Sequence, residues 1–333
     1  MRTEVCITVD VEFSIAGAFS HPERFKPIGH PVVRCMVDGR DEGLGFLLRS
    51  LSEFAVPATF FVEAMQTAYF GDGPMKEIAA EIAAAGQDVQ LHAHPCWLFF
   101  ENPGPDRSSA RKNDSCAGRT PEELDRLLAQ ALATFSRWGL QRPVAFRTGN
   151  LHTDRTLYRA LTRAGIPISS SIGTAIYRPA EAGLALWGGR HLIDGVLELP
   201  VLSYRDMRVG NWNHIRPLSI NACSTAEIEF VLREARRLGI SPVTLIAHPG
   251  DFVKKTNKQY TELRRNRVIQ RRLRRLLQFL RDHDDQYVAV SIAARKDAWL
   301  SCNATPDPQI SVPLGRVLGR IVENGINNHI WRF

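Results

Sequence analysis

The sequence predicts an α/β protein, a distorted (β/α) barrel of about seven to eight parallel strands with helices outside it. Two observations predict this class. Short β-rich runs alternate with helical patterns almost from end to end, which favours a mainly parallel sheet. Eight candidate strands fall within about 290 residues, a span that suits one barrel better than two separate domains.

The candidate strands are short and apolar, and most are separated by enough chain for one helix. In order they are Glu4–Val11, Ala58–Glu63, Asp88–His92, Val144–Phe146, Ile168–Ser171, Val196–Leu199, Val243–Ala247 and Tyr287–Ile292. The first, third, fourth and seventh strands end beside ionisable residues, and the sixth has acids near it with less definite roles, so a functional site is expected at these strand ends.

The candidate helices lie between these strands, and several have clear boundary residues. Thr120-Pro121-Glu122-Glu123 offers an N-cap, a proline in the first turn and early acids. Glycine follows four of the helical stretches, at the position that favours a left-handed residue. The helices are Glu42–Phe54, Met75–Ala85, Pro121–Trp138, Asp154–Ala164, Ala226–Leu238 and Val268–Arg281.

We expect residues 1–300 to form the barrel domain and residues 301–333 to form a C-terminal extension, whose structure the sequence does not predict. A long loop is expected at about 97–120, because residues 101–119 are polar and rich in Gly, Pro and Ser. A loop this long inside a compact domain is usually functional or disordered.

The composition is that of an ordinary soluble protein, with 44% hydrophobic and 23% charged residues. No apolar stretch reaches the roughly 18 residues that a membrane span needs. Residues 1–30 do not resemble a signal peptide, and the six cysteines contain no C-x-x-C pair. We therefore expect a cytoplasmic protein with reduced thiols.

The net charge of +7 is concentrated in one segment, where residues 254–281 hold eleven Lys and Arg against the single acid Glu262. Within residues 263–281 the apolar positions recur at helical spacing. The segment is therefore interpreted as an outer barrel helix with a charged face, or alternatively as a peripheral contact with an anionic membrane. Nucleic acid is not an expected partner, since no nucleic-acid-binding fold surrounds the segment.

Two acids mark the end of the first strand. Asp10 and Glu12 are two residues apart, so both carboxylates leave an extended strand on the same face. Close carboxylates repel one another unless a cation lies between them. The pair therefore indicates a metal ligand with a general base, or else a strand end in solvent.

Two histidines mark the end of the third strand. His92 and His94 share a face if the strand persists that far, and with a carboxylate they form a site for zinc or iron-type metals. If the chain turns helical at His92, its partner becomes Cys96 instead.

Two further side chains end neighbouring strands. Arg147 could hold a catalytic carboxylate in its ionised form, or could be a surface residue before a turn. His248 follows an apolar strand and could serve as a general acid, or could be a solvated histidine.

Taken in order, these segments resemble the polysaccharide deacetylase family, also called the NodB-homology family or family 4 of the carbohydrate esterases. The resemblance covers about residues 3–295. It is carried by Thr8-Val9-Asp10-Val11-Glu12, Val56–Val62, Gly86–Trp97, Phe146-Arg147-Thr148-Gly149, Glu198-Leu199-Pro200 and Leu245-Ile246-Ala247-His248-Pro249.

The resemblance implies a metal-dependent hydrolase that removes an N-acetyl or related N-acyl group from an amino sugar. It implies one divalent metal, most often zinc, with Glu12 as carboxylate ligand. It also implies that Asp10 is the base, that Arg147 holds Asp10, and that His248 protonates the leaving amine. The expected substrate is an acetamido sugar, nucleotide-linked or lipid-linked, from bacterial surface polysaccharide or lipopolysaccharide synthesis.

Two departures from the family pattern leave alternatives open. Many members have adjacent aspartates where this chain has Asp10-Val11-Glu12, and most space their two histidine ligands four residues apart. Here position 96 is Cys, so His92 and His94 are the preferred ligands and Cys96 is the alternative. The rival functions are hydrolysis of a non-sugar amide or cyclic imide, and an inactive member that binds carbohydrate or membrane.

Overall fold

The protein is described here by a computed structural model, which covers residues 1–101, 113–210 and 212–329. Its centre is a mostly parallel sheet of nine strands, and the eight strands predicted from the sequence are all among them. The strands are β1 (Thr3–Val11), β2 (Thr59–Glu63), β3 (Asp88–Ala93), β4 (Ala145–Thr148), β5 (Ile168–Ser169), β6 (His191–Ile193), β7 (Val196–Glu198), β8 (Val243–Ala247) and β9 (Tyr287–Ala289).

The sheet is curled into a distorted barrel, which confirms the predicted fold class. Its order is β8-β1-β2-β3-β4-β5-β7-β6, and β9 pairs with the start of β1. Every pair is parallel except the hairpin of β6 and β7. Single bridges from Val201 to Thr244 and from Ser219 to Ile246 join the chain after β7 to β8, at the opposite end of the sheet.

Helices surround this sheet, and all six predicted helices are present with small shifts at their ends. No helix that the structure describes combines the length and apolar character needed to cross a membrane. The helices are α1 (His30–Arg34), α2 (Leu44–Phe54), α3 (Thr67–Phe70), α4 (Gly73–Ala84), α5 (Pro121–Arg137), α6 (Arg155–Ala164), α7 (Thr225–Leu238), α8 (Arg267–Asp282), α9 (Ile292–Leu300) and α10 (Leu314–His329).

Helix α5 shows how the local sequence sets these boundaries. The Thr120 side chain accepts a hydrogen bond from the Glu123 amide, and Glu123 accepts one from the Thr120 amide. This reciprocal capping satisfies amides that the first helical turn leaves without partners. The buried residues recur three or four positions apart, so one face packs on the sheet. They are Leu124, Leu127, Leu128, Ala131, Thr134 and Phe135.

The sequence did not predict the smaller strands, the short helices α1 and α3, or the last two helices. The strand expected to reach Ile292 ends at Ala289, because Ile292 opens α9. A hairpin of Ser203–Val209 and Trp212–Pro217 pairs with Ile310–Ser311. Two short antiparallel pairs complete the strands, Met36–Val37 with Arg40–Asp41 and Val253–Lys255 with Leu263–Arg265.

The two segments that the sequence left open are only partly described. The loop expected at about 97–120 begins within a 3₁₀ turn, Pro95–Phe100, and resumes at residue 113. Residues 102–112 lie outside the described residues, as do residues 330–333 of the C-terminal extension. The rest of that extension contributes Ile310–Ser311 and α10.

Candidate metal centre

The candidate site lies where the parallel strands end. The carboxyl ends of parallel strands meet at one edge of a barrel, so residues far apart in sequence converge there. The structure brings together all six side chains that the sequence predicted. They are Asp10 and Glu12 at β1, His92 and His94 at β3, Arg147 in β4, and His248 after β8.

Three of these side chains form a cluster that could hold a metal. The ligand atoms of Glu12, His92 and His94 all lie within 4.8 Å of one another. Glu12 Oε2 is 3.1 Å from His92 Nε2 and 2.6 Å from His94 Nε2. Two imidazoles and one carboxylate are a donor set suited to zinc and similar divalent metals.

The outer nitrogens of both imidazoles are already engaged. His92 Nδ1 is 2.9 Å from the carbonyl oxygen of Arg147, which only accepts, so Nδ1 carries the hydrogen. Nε2 is thus the ring nitrogen that faces Glu12 and that would face a bound metal. His94 Nδ1 is 2.5 Å from a carboxylate oxygen of Asp114. Such outer contacts orient the histidine ligands of metal sites, so the cluster fits a divalent metal.

Charge in this cluster is strongly coupled. Burial alone would raise the pKa of Glu12, but the charge of His94 and the hydrogen bonds from both imidazoles hold it well below its usual range. Burial alone would lower the pKa of His94, whereas the carboxylates of Glu12 and Asp114 raise it well above. Because a proton and a metal compete for His94 Nε2, metal binding is expected to release that proton.

Asp114 is a site residue that the sequence analysis missed. Besides His94, it accepts hydrogen bonds from the Cys96 amide at 3.2 Å and from the Asn150 side chain at 2.8 Å. The carboxylate therefore ties the segment after the undescribed residues 102–112 to the metal-ligand strand. Its position within a polar segment suspected of function was the only indication in the sequence.

Replacing Asp114 with asparagine is expected to weaken metal binding about 10-fold to 100-fold, because His94 loses a charged partner that orients it and raises its basicity. Isothermal titration calorimetry with zinc measures the change. Asp125→Asn is the control, since Asp125 pairs with Arg163 on an exposed surface. Equal affinity of the Asp114 variant and wild type would contradict this role.

Cys96, the alternative ligand, lies on the other side of His94. Its Sγ is grouped with His94 and Asp114, and not with Glu12 and His92. Burial and the neighbouring carboxylates raise the pKa of this thiol far above its usual range. The thiol is thus expected to stay protonated, which does not suit a metal ligand.

Asp10 and Arg147 form a buried ion pair beside the metal cluster. Arg147 Nη1 donates to Asp10 Oδ1 at 2.6 Å, and the guanidinium is fully buried. Arg147 also donates to the Thr8 hydroxyl and to the carbonyl and hydroxyl oxygens of Ser170. Its guanidinium carbon lies 4.2 Å from the centre of the Phe61 ring. The orientation of Asp10 is therefore fixed by a fully engaged cation.

His248 faces Asp10 across the same space. Its Nε2 is 3.9 Å from Asp10 Oδ2, and its Nδ1 is 3.6 Å from Asp251 Oδ2. Burial alone would lower the pKa of His248, but the nearby carboxylate of Asp251 and the charges of Asp10 and Glu12 raise it to about 9. An imidazole with this pKa is protonated at neutral pH.

These groups open into a cavity of about 310 Å³. Asp10, Glu12 and His248 line it together with Lys255 and Tyr260, which the sequence analysis did not single out. Lys255 Nζ donates to the Tyr260 hydroxyl at 2.6 Å. The cavity is large enough for part of a small polar substrate, and Asp10, Glu12 and His248 are exposed to it.

Glu63 is a second residue that the sequence analysis missed. It ends β2, is fully buried, and accepts hydrogen bonds from the amides of Met65, Gln66 and His94. Burial raises the pKa of its carboxyl group to about 7. Glu63 thus fixes the main chain of His94 from the side opposite Glu12.

Comparison with known proteins identifies this architecture. A Mycobacterium smegmatis protein assigned as a polysaccharide deacetylase matches with a TM-score of 0.54 at 18% identity, covering 93% of this chain and 94% of that one. The chain has the polysaccharide deacetylase fold. The fold predicted from the six sequence segments is thereby confirmed.

Two more distant structures are similar to the polysaccharide deacetylase fold of this chain. A family 4 acetyl xylan esterase from Clostridium thermocellum, solved with a cobalt ion, has a TM-score of 0.43 at 14% identity and covers 89% of this chain and 91% of that one. A family 4 carbohydrate esterase from Streptomyces lividans, solved with acetate, has a TM-score of 0.43 at 13% identity, with 92% and 98% covered. No family model matches the sequence. No curated protein matches it either.

Proposed function

We propose that this protein is a metal-dependent hydrolase that removes an N-acetyl or related N-acyl group from an amino sugar. One observation carries the proposal: a cluster that could hold a metal, a carboxylate held by arginine and an imidazole lie together at the ends of neighbouring strands. Amide hydrolysis needs these three functions, an electrophile, a base and an acid. The likeness in fold to a protein assigned as a polysaccharide deacetylase supports the same reaction.

Glu12, His92 and His94 would hold the metal, for which zinc is our proposal. A divalent metal there would polarise the substrate carbonyl and lower the pKa of the attacking water. The chain prepares the cluster through contacts at the outer nitrogens. The Arg147 carbonyl fixes the tautomer of His92, and Asp114 orients His94.

Asp10 is the proposed base. Its Oδ1 is held by Arg147, which leaves Oδ2 facing the cavity and His248. This oxygen accepts the proton of the attacking water as the water adds to the amide carbonyl. The buried guanidinium compensates the negative charge of Asp10 before the reaction and keeps the carboxylate in one orientation.

His248 is the proposed acid. When the C–N bond breaks, the leaving nitrogen needs a proton, and His248 Nε2 donates it. The charges of Asp251 and Asp10 favour the protonated imidazole. A hydrogen bond from Asn221 at 2.6 Å holds Asp251 in place.

We propose that the substrate is a nucleotide-linked or lipid-linked acetamido sugar, a precursor in bacterial surface polysaccharide or lipopolysaccharide synthesis. We also propose a cytoplasmic location, which is consistent with such a precursor.

We further propose that helix α8 makes a peripheral contact with anionic membrane. Its arginines divide into two groups, and only one of them is paired. Arg272 and Arg274 pair with Glu323 and Glu53. The other four, Arg267, Arg271, Arg275 and Arg281, are exposed, and within the described chain no carboxylate lies close enough to form an ion pair with them.

Metal content and acetate release test the proposal together. Protein purified without chelator or metal-affinity resin should contain about one equivalent of divalent metal and release acetate from acetamido sugars. His92→Ala should lose both, because a histidine ligand is removed. His21→Ala is the control, since His21 is exposed and lies outside the cluster.

Two outcomes would contradict the proposal. Absence of metal in wild type, with none taken up on titration, would leave an inactive fold that binds carbohydrate or membrane. Bound metal without acetate release, together with turnover of a non-sugar amide or cyclic imide, would keep the hydrolase and change its substrate class.

A further inference from the structure

Helix α10 is attached to the barrel with an apolar face turned outward. Five of its side chains form an exposed row, here called the apolar stripe. About half of each side chain is open to solvent. The residues are Leu314 (57% exposed), Leu318 (53%), Ile321 (49%), Val322 (60%) and Ile326 (55%). Surface helices of monomers ordinarily bury such a stripe.

The inward face of α10 is held largely by charge. Arg320 is buried and pairs with Asp206 at 2.6 Å and with Glu227 at 3.0 Å. Glu323 pairs with Arg272 at 2.6 Å. Rotating the helix to bury the apolar stripe would break these buried ion pairs, and an unpaired buried charge is costly. The stripe is therefore fixed in its outward orientation.

We propose that α10 is the interface of a homodimer, in which two copies of the helix pair antiparallel about a two-fold axis near Arg320. The stripe is nearly palindromic about that residue. Leu314 is six residues before it and Ile326 six after, and Leu318 and Val322 are each two away. An antiparallel pair thus places apolar residues opposite apolar residues, the self-complementarity that a two-fold interface requires.

Small residues between the apolar ones favour a helix as the partner. Gly315 and Gly325 are also symmetric about Arg320, and Gly319 lies opposite Ile321 in the same scheme. A methyl group on any of these glycines would meet nothing within 4 Å. Glycine lets the main chain of a second helix approach closely, whereas it adds no apolar area for insertion into lipid.

The charge distribution also favours a second copy over an anionic membrane. Residues 314–329 are all described, and the charged members of this helix, Arg316, Arg320 and Glu323, lie on the side away from the stripe. A helix that binds anionic lipid carries cations beside its apolar face. The face of this stripe carries no Lys or Arg and only the terminal His329, so a largely uncharged partner surface fits it better.

The available area suits a weak dimer. Five side chains at roughly half exposure present about 500 Å² of apolar surface per copy, so a pair buries about 1,000 Å² in all, near the lower limit for a specific interface. We therefore expect a dissociation constant in the micromolar range, because the free energy gained by burying this small apolar area only slightly exceeds the entropic cost of association.

Sedimentation velocity of the full chain, from low micromolar to about 100 µM, tests the proposal. Wild type should shift from monomer to dimer across this range. The variant Leu318→Glu with Val322→Glu places four carboxylates at the interface and should weaken self-association by at least about 100-fold. Both positions are exposed, so circular dichroism should show an intact fold. Ala133→Glu with Ser136→Glu is the control, since it adds the same two charges at exposed positions of helix α5, away from the stripe.

Three results would overturn the proposal. Wild type could remain monomeric throughout the range. A dimer could persist unchanged in the double variant. Wild type could remain monomeric and float with liposomes of neutral or anionic lipid, with flotation lost in the double variant, which would assign the stripe to a membrane.

Discussion

Replacing Arg147 with methionine is expected to lower the free energy of unfolding by about 3–5 kcal/mol and to abolish hydrolysis. The guanidinium is fully buried and compensates the charge of Asp10, so its loss leaves a buried carboxylate with only the His248 imidazole, 3.9 Å away, beside it. The base would also lose its fixed orientation. Urea unfolding followed by circular dichroism measures the first effect, and acetate release measures the second.

Arg163→Met is the matched control for this experiment. Arg163 also pairs with a carboxylate, that of Asp125, but 46% of each side chain is exposed. Exposed pairs contribute about 0–1 kcal/mol, so this variant should unfold almost like wild type. Adding Asp10→Asn to Arg147→Met should restore part of the stability and none of the activity. Equal stability of Arg147→Met and wild type would show that Asp10 is not a buried charge.

Replacing His248 with glutamine is expected to lower kcat by about 10²-fold to 10⁴-fold, because the leaving nitrogen loses its proton donor. The loss should be largest for substrates with strongly basic leaving amines. The alkaline limb of the wild-type pH–rate profile should also disappear in the variant. His21→Gln should leave both kcat and the profile unchanged. A variant with a reduced rate but the same alkaline limb would assign the proton donor to another group.

The same histidine predicts a pH dependence of stability in the metal-free protein. Its folded pKa of about 9 lies above the ordinary value of 6.5. The stabilisation is therefore fully present below pH 6.5 and is lost as the pH rises through about 9. Because 40% of the side chain is exposed, solvent screening reduces the effect to about 1–2 kcal/mol. Wild type should lose this stability between pH 6.5 and 9.5, and His248→Gln should not.

The convergence of Glu12, His92 and His94 was predictable because it depends on strand geometry. β3 continues to Ala93, and His94 remains extended, so His92 and His94 leave the chain on the same face. A helical turn at His92 would have favoured Cys96. Parallel strand order then brought Glu12, at the end of β1 on the far side of β2, within reach. The spacing of the two histidines is a local feature, and the strand order follows from the fold class. Both can be predicted from the sequence.

Asp114 and α10 depend on contacts that no local pattern encodes. Asp114 reaches His94 only through the path of an irregular segment, twenty residues away in the chain. Helix α10 is held by Arg320 against Asp206, 114 residues away. Its apolar residues also face outward, so the usual assignment of apolar positions to the core fails there. Long-range ion pairs decide both arrangements.

Arg147 serves the site through two different atoms. Its side chain holds Asp10, while its main-chain carbonyl holds His92. Every amino acid provides that carbonyl, but only arginine provides that side chain. A single codon change at this position can therefore remove turnover and leave the ligand tautomer intact. Metal retention by an Arg147 variant of this chain would consequently be a poor marker of its turnover.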